Sequence, residues 1–174
     1  MEEKHRLAAL ELALTNEKTE REFYLKNAKR TKNSFGKAMF QQIADDELEH
    51  YERLKQLHQK WKNNERWPET VPLRVKDTNV KDVLRGLAKK VTQSPKGYAD
   101  DLAAVRTAID FEAKGTKFYA ELRDSVSDPK EKVFFDLLSK IENEHYLSLK
   151  DTEEYLTDPV SWYRKVEHHT FDGE

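Results

Sequence analysis

Cysteine is missing from all 174 residues. That excludes disulfides, thiolate metal sites and cysteine nucleophiles, so any ligand site must be built from carboxylates, imidazoles and hydroxyls. Long apolar runs are missing too: nothing approaches the roughly 20 residues that span a bilayer, and the opening MEEKHRL lacks the hydrophobic centre of a secretory signal. A soluble, cytoplasmic protein without a membrane partner is therefore expected. Neither sign of charge is in excess, with 31 basic and 33 acidic residues interspersed along the chain. Without a basic stripe, nucleic acid is not an expected partner. Glycine and proline are scarce, five of each, and cluster between periodic segments, where they act as punctuation.

What remains is 37% charged and 37% hydrophobic, the balance of amphipathic helices that bury about three positions in seven. The periodicity predicts helices at about 3–31, 35–63, 98–126 and 129–156. TKNSFG joins the first two and SVSDP the last two, both short enough to make antiparallel neighbours. A connection at about 63–97, with three prolines, separates the pairs and is expected to contain a short helix near 79–92. The reading is all-α: a four-helix bundle over 1–158 with ferritin-like connectivity, two antiparallel hairpins joined by a long crossover, then an extension at 159–174. Trp162 and Tyr163 in that extension are placed to fold back on the bundle or to reach a partner subunit.

Acids interrupt the apolar stripes. The second helix reads Phe40, Ile43, Glu47, His50, Leu54, Leu57, Trp61; the fourth reads Phe135, Leu138, Glu142, His145, Leu149, Thr152, Leu156. The first runs Leu7, Leu10, Leu14, Glu17 and the third Leu102, Val105, Ile109, Glu112, each with a tyrosine seven residues beyond its glutamate. An unpaired carboxylate in a core costs several kcal/mol even after relaxation, so four together call for cations or protons.

Composition alone yields roughly 0.7 chance matches to Glu-x-x-His, and Glu2 with His5 at the N-terminus is read as one. The other two belong to a repeat. ALTNEKTEREFY (13–24) aligns with AIDFEAKGTKFY (108–119), and FQQIADDELEHY (40–51) with FDLLSKIENEHY (135–146), at one offset of 95 residues. That offset relates Glu17 to Glu112, Glu47 to Glu142 and His50 to His145. Copies at about 5–61 and 100–156 predict a pseudo-twofold axis and a site with two similar metal positions. Mixed carboxylate and imidazole donors at this spacing accept Fe, Mn or Zn.

The paired motifs, E-x-x-x-x-x-F-Y on helices one and three and E-x-x-H on helices two and four, resemble the rubrerythrin branch of the ferritin-like di-iron carboxylate proteins. The resemblance spans about residues 5–156 and implies two iron ions. It makes Glu47 and Glu142 bridging ligands, Glu17 and Glu112 terminal ligands, and His50 and His145 caps on one ion each. Two departures stand out. Full-length rubrerythrins carry a cysteine-ligated rubredoxin domain that delivers electrons, and a chain without cysteine is expected to take them from a separate rubredoxin-like donor. They also place an extra glutamate three residues after the helix-three ligand, where it exchanges with a histidine as the iron changes redox state. That position is Gly115 here.

The repeat mate of Gly115 is Glu20, one turn beyond Glu17, which is read either as an additional ligand on the opposite ion or as a solvated glutamate. Tyr24 and Tyr119 are read as core residues with satisfied hydroxyls or as neighbours of the metals. Asp46 is a candidate to orient an imidazole, although its repeat mate is Ile141. Tyr51 and Tyr146 are assigned to packing, Glu49 and Glu144 to solvent, and His168 and His169 to the surface. The resemblance implies reduction of hydrogen peroxide to water; ferroxidase chemistry with O2 and Fe(II), and a non-catalytic metal-binding or interaction bundle, are the alternatives. A homodimer is expected, and the long crossover permits exchange of hairpins between subunits.

Overall fold

A computed structural model of the chain describes residues 3–63, 78, 80–81, 99–162 and 164–165. Four long helices form it: α1 (Glu3–Arg30), α2 (Ser34–Lys62), α3 (Ala99–Ser125) and α4 (Pro129–Thr157). Each agrees with its sequence expectation to within a residue or so, because the punctuation is chemically strong. Asp128 caps α4 by accepting from the Lys130 and Glu131 amides at 2.7 and 3.4 Å, and Pro129 occupies the first turn, where no N–H is needed. The Lys37 amide closes the first turn of α2 on the Asn33 carbonyl at 2.9 Å. Val80 and Lys81 are helical, but the rest of the expected crossover helix at 79–92 lies outside the described residues. So do Tyr163, His168 and His169.

The hairpins α1–α2 and α3–α4 are the most extensive packings, and every neighbouring pair runs antiparallel. At one end, Arg30 and Thr31 close α1 against the start of α3, with donors at 2.8 and 2.6 Å from the buried Asp101 carboxylate. Thr152 late in α4 meets Met39 early in α2. At the other end, Arg6 pairs with Glu131 and lies over the Trp61 ring, 4.1 Å from its centroid. The result is a four-helix bundle whose long connection lies between α2 and α3, the ferritin-like arrangement.

Apolar side chains fill the bundle as two separate plugs. Leu10, Leu54, Leu57, Phe135 and Leu138 belong to one; Met39, Phe40, Ile43, Val105 and Leu149 belong to the other. The α2 stripe is buried along its whole length, from Phe40 to Trp61. On α1 and α3 the buried seam is rotated from the expected one: Ala13 and Ala108, one repeat apart, are fully enclosed, whereas Leu14 and Ile109 flank the core half-buried. The tail turns back, with Trp162 buried, its ring edge-on to Tyr155 at 5.0 Å and its indole N–H on Asp151 at 3.0 Å. Among the described residues no helix is long and apolar enough to cross a membrane.

Candidate metal centre

Between the plugs lies a polar slab. Glu17, Glu47, His50, Glu112, Glu142 and His145 are each at most 2% exposed, and one helix step explains their convergence. Positions three apart put Glu47 and His50 on one face of α2 and Glu142 and His145 on one face of α4, while single glutamates enter from α1 and α3. Candidate ligand atoms fall into two sets, each within 4.8 Å: Glu17, Glu47, His50 and Glu142, and Glu47, Glu112, Glu142 and His145. Glu47 and Glu142 are common to both.

The halves mirror one another. Nδ1 of His50 lies 3.2 Å from Glu17, 3.2 Å from Glu142 and 3.4 Å from Glu47. Nδ1 of His145 lies 3.4 Å from both Glu47 and Glu112. The two rings face each other, 6.2 Å apart and 23° from parallel. Tyrosines close the slab crosswise: the Tyr24 hydroxyl on α1 donates to Glu112 on α3, and the Tyr119 hydroxyl on α3 donates to Glu17 on α1. Tyr51 and Tyr146 are half-buried outside the cluster; Glu49 pairs with Arg53 and Glu144 with Lys81 at the surface. His5 is exposed at the N-terminus, away from the site.

Crowding four carboxylates disturbs every titration in the slab. Burial, then the charge of Glu47, pushes the Glu17 carboxyl up to about 8. Glu112 is held well above the ordinary value by burial and by Glu142. Burial works against charging the imidazoles, yet the surrounding carboxylates hold both His50 and His145 well above 6.5. Glu47 moves the other way: against burial and the charge of Glu142, the two neighbouring imidazoles and Glu17 hold its carboxyl below the ordinary value.

A family model described as Rubrerythrin matches residues 8–153. The chain belongs to the rubrerythrin family. Searches of curated proteins and of solved structures returned no match. Rubrerythrin membership and the buried Glu/His cluster together fit a di-metal site of the carboxylate type, for which iron is the typical occupant. An independent feature agrees: Glu47 and Glu142 each have both oxygens buried without a hydrogen-bond partner, as do Glu112 Oε2 and His145 Nδ1. Orphaned donors of this kind, anionic and imidazole, are what a pair of hard-to-borderline dications would satisfy.

The rubrerythrin departure at Gly115 has a steric basis. A Cβ there would stand 3.2 Å from Glu142 Oε2 and 3.4 Å from its Cγ and Cδ, so the Glu142 side chain occupies the space beside that backbone. Glu20, in the other copy, keeps some solvent contact, yet its carboxyl is pushed up to about 11 by partial burial and by the charges of Glu47, Glu142, Glu112 and Glu17. It therefore borders the cluster without joining either four-residue set.

The repeat conceals one contact. His145 Nε2 lies 2.9 Å from Asp46 Oδ2, across the bundle from α4 to α2. Gln42 and Thr78 complete that carboxylate's shell and carry no signal of it in the sequence.

Proposed function

We propose that this chain is a di-iron oxidoreductase that reduces hydrogen peroxide to water with electrons from a separate donor protein. The observation that carries the reading is the sharing of Glu47 and Glu142 by two buried Glu/His sets. Glu47 and Glu142 would be shared by two ions, one of which Glu17 and His50 would also hold and the other Glu112 and His145. When bound in the ferrous state, such a pair would supply the two electrons which, with two protons, reduce one peroxide to two waters.

The protein's own groups position and enclose. Tyr24 and Tyr119 are held well above the ordinary tyrosine value by burial and the neighbouring carboxylates, so they stay protonated and fix Glu112 and Glu17 as hydrogen-bond donors. The apolar plugs above and below restrict entry of bulk water. The proposed reductant is a separate protein of the rubredoxin type. Glu20 serves as the additional carboxylate, on the side of the centre opposite the family's usual one. Glu20→Gln is expected to weaken zinc binding about tenfold at one of two positions, read by calorimetric titration; two unaltered sites would leave Glu20 a surface acid.

Anaerobic, iron-loaded protein mixed rapidly with peroxide, and separately with O2, tests the reaction. Fast oxidation by peroxide with slow oxidation by O2 is expected. Fast reaction with O2 instead would make the chain a ferroxidase, and inertness to both would make the ions stabilisers of the bundle.

A further inference from the structure

The repeat that makes the two halves alike fails at one position beside the metal centre. Asp46, immediately before Glu47, corresponds to Ile141, immediately before Glu142. Ile141 is buried and belongs to an apolar plug. Asp46 instead accepts three hydrogen bonds. Its Oδ2 takes His145 Nε2–H at 2.9 Å and the Thr78 hydroxyl at 2.5 Å, and its Oδ1 takes the Gln42 amide at 3.0 Å.

We infer that Asp46 is a positioning residue that fixes the ring and tautomer of His145 alone and so makes the two metal positions unequal. This inference rests on the two-metal reading proposed above. A carboxylate only accepts, so the nitrogen facing Asp46 must carry the hydrogen, and Nδ1, beside Glu47 and Glu112, is the nitrogen whose lone pair an ion held by those carboxylates would take up. An isoleucine side chain at the matching register on α4 cannot accept a hydrogen bond, so the repeat gives His50 no equivalent anchor.

The anchor also reaches outside the four helices. Thr78 lies in the connection between α2 and α3, accepts from the Val80 amide at 3.3 Å, and precedes by two residues a Val80 side chain that is fully buried. Lys81 pairs with Glu144 on α4. The described part of the crossover is thereby fastened beside His145.

Zinc titration of the full chain, followed by calorimetry, tests this without any turnover. The wild type is expected to take two ions. Asp46→Ile, which copies the second half into the first, should weaken one position 10–100-fold and leave the other within about threefold. Asp46→Asn keeps an acceptor oxygen and should recover most of the loss, which separates the hydrogen bond from packing. In long-range proton–nitrogen spectra of the zinc-loaded protein, His145 should show a slowly exchanging Nε2–H that disappears in Asp46→Ile. Equal weakening of both positions, or none at all, overturns the inference while sparing the two-metal reading. A wild type that binds fewer than two ions overturns both.

Discussion

Glu142→Gln should make the metal-free protein more stable and leave it unable to hold a pair of ions. Glu142 belongs to both candidate ligand sets, and both its oxygens are buried without hydrogen-bond partners. Its charge is the largest influence after burial in holding the Glu112 carboxyl above its usual range. Above about pH 8, where the Glu17 carboxyl is ionised as well, four glutamates face two imidazoles, so removing one negative charge there relieves repulsion more than it removes attraction, even though His50 Nδ1 lies 3.2 Å away. A gain of about 1–2 kcal/mol, or roughly 2–8 °C in Tm, is expected in chelator. Metal binding moves the opposite way. Structural zinc sites with four ligands are worth about 10–16 kcal/mol, so one ligand is worth about 3 kcal/mol, or some two decades in affinity, and Glu142 is shared by both positions. Calorimetric titration with zinc, beside thermal unfolding of the metal-free protein, reads both effects. A less stable variant that still binds two ions would make Glu142 a packing residue.

That opposition between stability and binding is also why so much of the site is legible in the chain. A carboxylate in a core stripe conflicts with burial, and the same conflict at Glu17, Glu47, Glu112 and Glu142, repeated at one offset, is improbable without a compensating charge. Helix limits are legible for an equally physical reason, since Asp128–Pro129 is both a stop and a start. The seam on α1 and α3 is not. A step of three or four from Glu17 reaches Ala13 or Leu14, and hydrophobicity favours leucine, but the fully enclosed seat goes to alanine in both copies. The apolar repeat mate of Asp46 counts against it only if the symmetry is complete, and here it is not. The contact Asp46 makes is to a histidine 99 residues away on another helix, and only packing of α2 against α4 brings them together.

Metal-free protein should lose thermal stability as the pH rises from about 5 to 8.5, and bound metal should reverse that trend. Ordinary carboxylates titrate near 4.5, but the folded protein keeps Glu17 protonated up to about 8, Glu112 above its usual range, and Glu20 up to about 11. Above pH 4.5 the unfolded chain has released those protons and the folded chain has not, so each such group favours folding fully at low pH and loses that contribution as pH climbs through its folded value. His50 and His145, raised above 6.5, add the same sign from near neutrality upward. Glu47, displaced downward, acts oppositely, and its contribution fades only as the solution is acidified below about 4.5. A tenfold change in a group's proton affinity between the folded and unfolded chain corresponds to about 1.4 kcal/mol, so the sum over this window is of the order of several kcal/mol. Zinc or ferrous ion must displace those protons to bind, so its affinity grows with pH. At a free concentration 100 times Kd it adds about 2.7 kcal/mol per site, and more as Kd falls. Unfolding curves in chelator and in excess zinc at pH 5.5, 7 and 8.5 should therefore diverge; parallel curves, or a metal-free Tm that climbs with pH, would mean that the cluster is already balanced without ions.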